Sequence, residues 1–251
     1  MNEDLLLRRK LLDTANKAYQ QNIYTYTNFL SISELDIYYQ LLPELSFIHS
    51  ELFGGNPSCE RQVVCFGNSE DFGYEASYPI DCISVSPLLR KFADELSHRD
   101  FLGAVLNLGI ERSLIGDIMI RENTGCIFCI SHIAPYIADN LTKIKHTNVK
   151  CEITAPSTDN FTPELSAVEI ICASPRIDAV AAGITKLSRS KAVELFREKK
   201  VFINGRIMEN NSYSLKPCDI IVIRGYGKYI YDGCGNETRK GRVYIRLQKY
   251  V

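Results

Sequence analysis

The sequence predicts an α+β protein in three parts: an N-terminal mixed helical region (1–78), a middle α/β sandwich (79–155) and a C-terminal module (173–251), the last preceded by a linker and connecting strand (156–172). Two apolar patterns and one charge pattern lead to this reading. Residues 1 to about 53 repeat with a helical period, and from Ile80 the order becomes strand, helix, strand, strand, helix, strand. Charge then changes sign. From Arg176 onward 16 Lys and Arg stand against 7 Asp and Glu, a surplus of +9, whereas the preceding residues hold 13 against 23. A net charge of −1 thus conceals a basic module on an acidic body, which points to a polyanionic partner.

In the first part, Leu5, Leu6, Leu12 and Ala15 fall on one helical face. Ser33, with Asp36 three residues on, has capping-box spacing ahead of Ile37, Tyr38, Leu41 and Leu42. Gly54-Gly55-Asn56-Pro57 interrupts the pattern, and Arg61 to Phe66 reads as a strand. The middle part places strands at 80–86, 116–122, 125–131 and 148–154, with helices near 98–108 and 133–144, the order of a ferredoxin-like or RRM-like sandwich. The prolines of APSTDNFTPE (155–164) make a loop, and AVEIICA (167–173) is a strand leading out of it.

The last module is legible almost residue by residue. Ser174 is a candidate N-cap with Pro175 at the first helical position, Ile177, Val180 and Ala181 form the apolar stripe, and Gly183 can end the helix. Ser188 caps a second helix that turns Ala192, Val193 and Phe196 inward. Asn204-Gly205 between two short apolar runs is the signal of a type I′ hairpin, because both central residues need positive φ. A Lys216-Pro217 turn then feeds a strand at 220–224.

Composition narrows the function classes. With 45% hydrophobic and 24% charged residues the chain is an ordinary globular protein, and it lacks the run of about 18 apolar residues that a membrane helix needs. Its first residues mix acid and base, unlike a secretory signal. Nine cysteines, an odd number without framework spacing, read as reduced thiols, so a cytoplasmic location and no membrane partner are expected. No P-loop and no GxGxxG after a strand occurs, so no cofactor is expected. Cys126, Cys129 and His132 suggest zinc, but strand residues three apart face opposite ways and a fourth ligand is missing, so no metal is expected. Lys186-Leu187-Ser188-Arg189-Ser190 is similar to a synthetase KMSKS loop, yet none of the four histidines offers its HxGH partner.

The candidate contacts for a polyanion are therefore cationic and polar groups of the last module. Arg176 starts its first helix, Lys186 and Ser188 lie in the connection, and Arg189, Lys191, Arg197 and Lys200 line the second helix. Asn204 and Arg206 flank the hairpin tip, and Arg224, Lys228, Arg239, Lys240 and Arg242 belong to the tail. Cations in a first turn oppose the helix dipole, and bound phosphate is an external reason for them. Tyr226, Tyr229 and Tyr244 offer stacking faces or strand packing, and Asn204 and Gly205 are turn formers in any case. The two helices and the β tip are expected to converge on one surface. His98-Arg99-Asp100 reads as a helix start; His98 and Arg99, with Arg112, form a second candidate contact.

Pro175-Arg176-Ile177-Asp178, Leu187 to Ala192, Val201 to Gly205 and Lys216 to Ile220 resemble, in order, the alpha-L RNA-binding domain named after ribosomal protein S-four, except that Cys218 stands where that family usually has glycine. Gly54-Gly55, Glu60-Arg61, Ser97 to Ala104, Leu106 to Ile110, Ile115 to Ile118, Arg224 to Lys228 and Thr238 to Arg242 resemble the bacterial YlmH family over nearly the full length. The resemblance implies a protein binding structured RNA, ribosomal or transfer RNA, on the ribosome and in particular on large subunits that hold peptidyl-tRNA; with no paired catalytic groups or cofactor loop in the sequence, a non-enzymatic protein, monomeric when free, is expected. The competing classes are an RNA-modifying enzyme of the pseudouridine synthase or methyltransferase type, and a division-linked adaptor recruiting a protein through the acidic part.

Overall fold

The computed structural model describes residues 3–121, 123–156, 165–239 and 241–250, with Phe92 described by its backbone alone. The chain forms two compact units, Met1–Thr162 and Pro163–Val251. Both mix helices with antiparallel sheets, so the protein is α+β. Counted over these units the sequence carries 13 basic against 21 acidic residues in the first and 16 against 9 in the second.

The first unit begins with α1 (Glu3–Gln21), β1 (Thr25–Tyr26), α2 (Ile32–Leu41), β2 (Ser50–Phe53), β3 (Val63–Phe66) and α3 (Ser69–Phe72). α1 buries Leu11, Ala15 and Ala18, spaced four and three apart, while Leu5 and Leu6 are 61% and 57% exposed, so the apolar face is not the one the leucine run suggests. The cap of α2 is Ser31 rather than Ser33. Glu34 N donates to Ser31 Oγ (3.4 Å) and Ser31 N donates to Glu34 Oε2 (2.7 Å), and this start turns Leu35, Tyr38 and Leu41 into the core. β1, β3 and β2 form a three-stranded sheet in that order.

Then follow β4 (Ile80–Pro87), α4 (His98–Leu106), β5 (Ile115–Arg121), β6 (Thr124–Ile130), α5 (Ala134–Asn140), β7 (Lys143–Ile144) and β8 (Thr147–Thr154). They build an antiparallel sheet ordered β5-β6-β4-β8-β7. On one face Ile83, Val85 and Ile127 pack beneath Phe101 and Val105 of α4 and Ala134 and Ile137 of α5. On the other, Cys82, Cys126, Phe128 and Ile130 lie under Phe29, Cys59 and Val63 of the N-terminal region. Cys126 and Cys129 accordingly sit in different layers.

A polar staple closes this second layer. Arg61 donates from Nε to the Ile115 carbonyl (3.0 Å) and from Nη2 to the Phe29 carbonyl (3.0 Å), and Asp117 accepts from the backbone N–H groups of Glu60 and Arg61. Gly55 is positioned by a close approach, since a Cβ there would lie 2.3 Å from Phe128 Cδ1, and its φ is +96°. Gly54-Gly55 therefore locks the N-terminal region to the sheet rather than separating two domains. The structure also joins Cys82 to Cys126 on neighbouring strands, with Cα atoms 6.0 Å apart, which corrects the reading of all nine cysteines as reduced thiols.

The second unit contains β9 (Leu165–Cys172), α6 (Ile177–Thr185), α7 (Arg189–Arg197), β10 (Val201–Ile203), β11 (Arg206–Ile207), β12 (Ile220–Ile223), β13 (Gly227–Glu237) and β14 (Val243–Tyr250). Its six-stranded sheet runs β11-β10-β12-β13-β14-β9. The strand read as a connector is thus an edge strand, paired with β14 from Leu165 to Cys172. α6 does not end at Gly183 but runs on to Thr185, with Lys186 at φ 56° as the left-handed cap. Gly183 serves packing: a Cβ there would meet Ile170 Cδ1 at 2.8 Å. Ile177, Val180, Leu195 and Phe196 pack on Ile203, Ile221, Tyr229, Ile245 and Leu247, so both helices cover one sheet face. Among the described residues, no helix is long and apolar enough to cross a membrane.

Candidate nucleic-acid interface

α6 and α7 are joined at their starts by one carboxylate. Asp178 has a side chain only 5% exposed and accepts from Arg176 Nε and Nη2 (3.2 Å each), from Arg189 Nε and Nη2 (3.1 and 2.7 Å) and from the Ala179 N–H (2.9 Å). Burial alone would raise its pKa, but the bonds from Arg189 and Arg176 together hold it below the usual carboxylate value. Both guanidinium groups keep outward surface, at 40% and 54% side-chain exposure. Two cations held by one anion leave a net positive fork, fixed in place. Ser188, the N-cap of α7, accepts from Lys191 N, which sets Lys186, Arg189 and Lys191, all exposed, around the turn between the helices.

The β10–β11 tip is tied to this fork through the 210–219 loop. Asn204 and Gly205 adopt φ 51° and 78°, as the hairpin requires. Asn204 Nδ2 donates to Asp219 Oδ1 (2.8 Å) and its Oδ1 accepts from Ile220 N (2.9 Å), so this exposed side chain braces the turn at the hairpin tip. Asp219 Oδ2 also accepts from Tyr213 Oη (3.1 Å) and Lys216 N (2.8 Å). Tyr213 O accepts from Ile177 N (2.9 Å), and Arg176 Nη2 donates to Ser212 Oγ (2.9 Å). The 210–219 loop therefore links the helix starts to the tip carrying exposed Arg206.

Other candidates lie elsewhere. Lys200 pairs with Glu198 (2.7 Å) just after α7, while exposed Arg197 lies in its last turn. Arg224 stacks over the Phe202 ring (5.1 Å) and Lys228 over Tyr250 (4.6 Å), on the sheet face away from the helices. Exposed Arg239 and Arg242 flank the β13–β14 turn, and Lys240 falls outside the described residues. The candidate cations thus fall on the helix starts, the end of α7, the β10–β11 tip, the opposite sheet face and the β13–β14 turn. Among the stacking candidates Tyr226 is 38% exposed, whereas Tyr229 is 6% exposed, bonded from Oη to the Tyr226 carbonyl and lost to the core.

In the first unit, His98 and Arg99 are exposed at the start of α4. Crowding lowers the His98 pKa, and the charge of Arg112 adds to the effect. Arg112 itself points inward. Its Nη1 donates to the Ile115 and Gly116 carbonyls, and burial first, then Arg61, lower its pKa to about 10, so it belongs to the staple. The third member of the triplet, Asp100, accepts from Ser97 N and Oγ (2.8 and 2.6 Å) and pairs with Lys145 (2.8 Å).

Fold and surface together define a two-unit α+β protein with an acidic body and a basic module. Residues 75–158 match the family described as "Putative RNA-binding domain in YlmH". A Bacillus subtilis (strain 168) protein named "Ribosome-associated protein quality control protein P2" is 26% identical over 204 residues, spanning 78% of this chain and 76% of the relative. On these matches the chain is similar to proteins of the YlmH type, and its middle part matches that family's domain. Among solved structures, "Cell division protein ylmH from Streptococcus pneumoniae" aligns with TM-score 0.49 and 23% identity over 61% of this chain and 92% of its own.

Proposed function

We propose that this protein is a non-enzymatic RNA-binding protein that associates with the ribosome, its basic unit being an alpha-L domain of the S-four type and its middle part an RRM-like sandwich. The observation that carries the reading is the Arg176–Asp178–Arg189 fork beside Lys186 and Lys191, a rigid cationic edge at the starts of two helices. Rigid guanidinium pairs suit phosphate oxygens. The order β5-β6-β4-β8 supports the sandwich assignment. The family description and the relative's name support RNA and the ribosome as partners, and a cytoplasmic location follows from the same reading. Large subunits holding peptidyl-tRNA are the target we favour, with the free protein a monomer.

The test is titration of the full chain onto fluorescent transfer RNA and onto purified large-subunit ribosomal RNA across a range of KCl. With about five phosphates neutralised, log affinity should fall against log salt with a slope of about −3.5 to −4.5. Lys191→Ala should reduce that slope by about 1 for both RNAs. A salt-independent affinity, or a slope unchanged in the variant, overturns the assigned footprint.

A further inference from the structure

Both faces of the middle sheet are occupied. α4 and α5 cover one, and Phe29, Cys59 and Val63 cover the other, where Phe128 of the central strand β6 is fully buried. The stacking mode in which a four-stranded RNA-binding sheet lays bases on its aromatics is therefore unavailable here. An RNA contact in this unit must use helix exteriors or sheet edges.

One groove has the required chemistry. It lies between α4 and the segment from the end of α5 through β7, and its walls carry Arg99, Asn107, Lys143 and Lys145. Arg99 and Lys143 are exposed and make no ion pair among the described residues. Asp100 is the carboxylate in the lining, and Lys145 and Ser97 already engage it. Three cations against one engaged anion leave the groove positive within a unit whose total charge is negative.

The floor provides an independent argument. Gly103 sits mid-helix in α4, where glycine is destabilising relative to alanine, and a Cβ built there meets nothing within 4 Å. Neither a turn nor a close protein contact explains it. Together with Ala104 it keeps the groove open. Packing thus leaves the glycine unexplained, and the approach of a ligand backbone supplies a reason.

From this geometry we propose that the α4–β7 groove is a second RNA site, binding the phosphodiester backbone through Arg99, Lys143 and Lys145. The proposal rests on the RNA-binding reading above and names the surface by which the middle part engages RNA. Gly103→Gln should fill the groove. Because the space is open and glycine is a poor helix former, that variant should melt no lower than the parent while binding large-subunit ribosomal RNA about tenfold more weakly. Arg99→Ala with Lys143→Ala should weaken binding to the same RNA and reduce the salt slope by about 2. RNA should also protect the Lys143 and Lys145 amines from acetylation, read by mass spectrometry. If the parent binds and Lys191→Ala weakens it, yet the groove variants bind like the parent and no protection appears, the groove proposal fails and the RNA reading stands. If the parent does not bind RNA at all, both fail.

Discussion

Replacing Asp178 by Asn separates charge from placement. The substitution removes the one anion of the fork and makes the basic unit more positive, so a purely Coulombic interface would bind RNA more tightly. If fixed guanidinium geometry matters, binding weakens instead. The structural magnitude follows from the contacts. The two arginines are about half exposed, so each pair contributes about 0.5–1 kcal/mol. The position near the start of α6 adds about 0.3–1 kcal/mol. Asn retains an oxygen for the Ala179 N–H, so that bond largely survives. The expected loss is about 2 kcal/mol, seen as a lowered transition of the basic unit in calorimetry and faster hydrogen exchange in peptides covering 177–197. The folded-state pKa of Asp178 is depressed, so its contribution is present above the usual carboxylate value and is lost as pH falls through the lower folded value. The parent should therefore lose its advantage over Asp178→Asn in acid. Tighter RNA binding by the variant together with unchanged exchange at 177–197 would refute the positioning argument.

Three further outcomes follow from single residues. Phe128→Ala empties the layer between the sheet and the N-terminal region and should cost about 3–5 kcal/mol in denaturant unfolding of the first unit; a loss below about 1 kcal/mol would contradict the sealed face. Cys218 adopts φ 72° with its side chain exposed, so Cys218→Gly should stabilise by about 0.5–1 kcal/mol in thermal melts, and a lowered melting point would count against backbone strain there. The hydrogen bond from Lys145, followed by those from Ser97, lowers the Asp100 pKa to about 2, so its support of the α4 start persists above the ordinary value of 3.8 and fades as pH drops through about 2. The Asp100 carboxyl carbon should titrate accordingly in NMR, moving toward 3.8 in Lys145→Ala.

Local chemistry was legible in the sequence; tertiary reasons were not. The Ser188 cap and the Asn204-Gly205 hairpin follow from residues that interact only with their neighbours, and both are found as read. Ser31 and Ser33 each precede an acidic residue by three, and the core contact of Leu35, Tyr38 and Leu41 selects the former. Gly183 and Gly55 look like helix stop and chain break, yet each yields space to a distant side chain, Ile170 and Phe128. Arg112 reads as a surface cation because the carbonyls it binds carry no sequence signal. The groove had one sequence signal, the glycine inside the α4 pattern, but its meaning depends on knowing that nothing fills the space.

The charge division bears on the order in which two RNA contacts would form. Exposed charges act over a Debye length of about 8 Å at physiological salt, so a small cationic groove on an acidic body exerts little pull at a distance, whereas the surplus of the basic unit does. Once the basic unit has docked, the linked groove meets RNA at a high effective concentration and acts as a second, intramolecular contact. The two sets of variants should therefore separate kinetically. Lys191→Ala should chiefly slow association, with an effect that shrinks as salt rises, whereas Arg99→Ala with Lys143→Ala should chiefly speed dissociation. Stopped-flow mixing with labelled large-subunit ribosomal RNA distinguishes them. If the groove variant slowed association and left dissociation unchanged, the groove would be part of the steering surface, and the sequence of contacts argued from the charge division would be wrong.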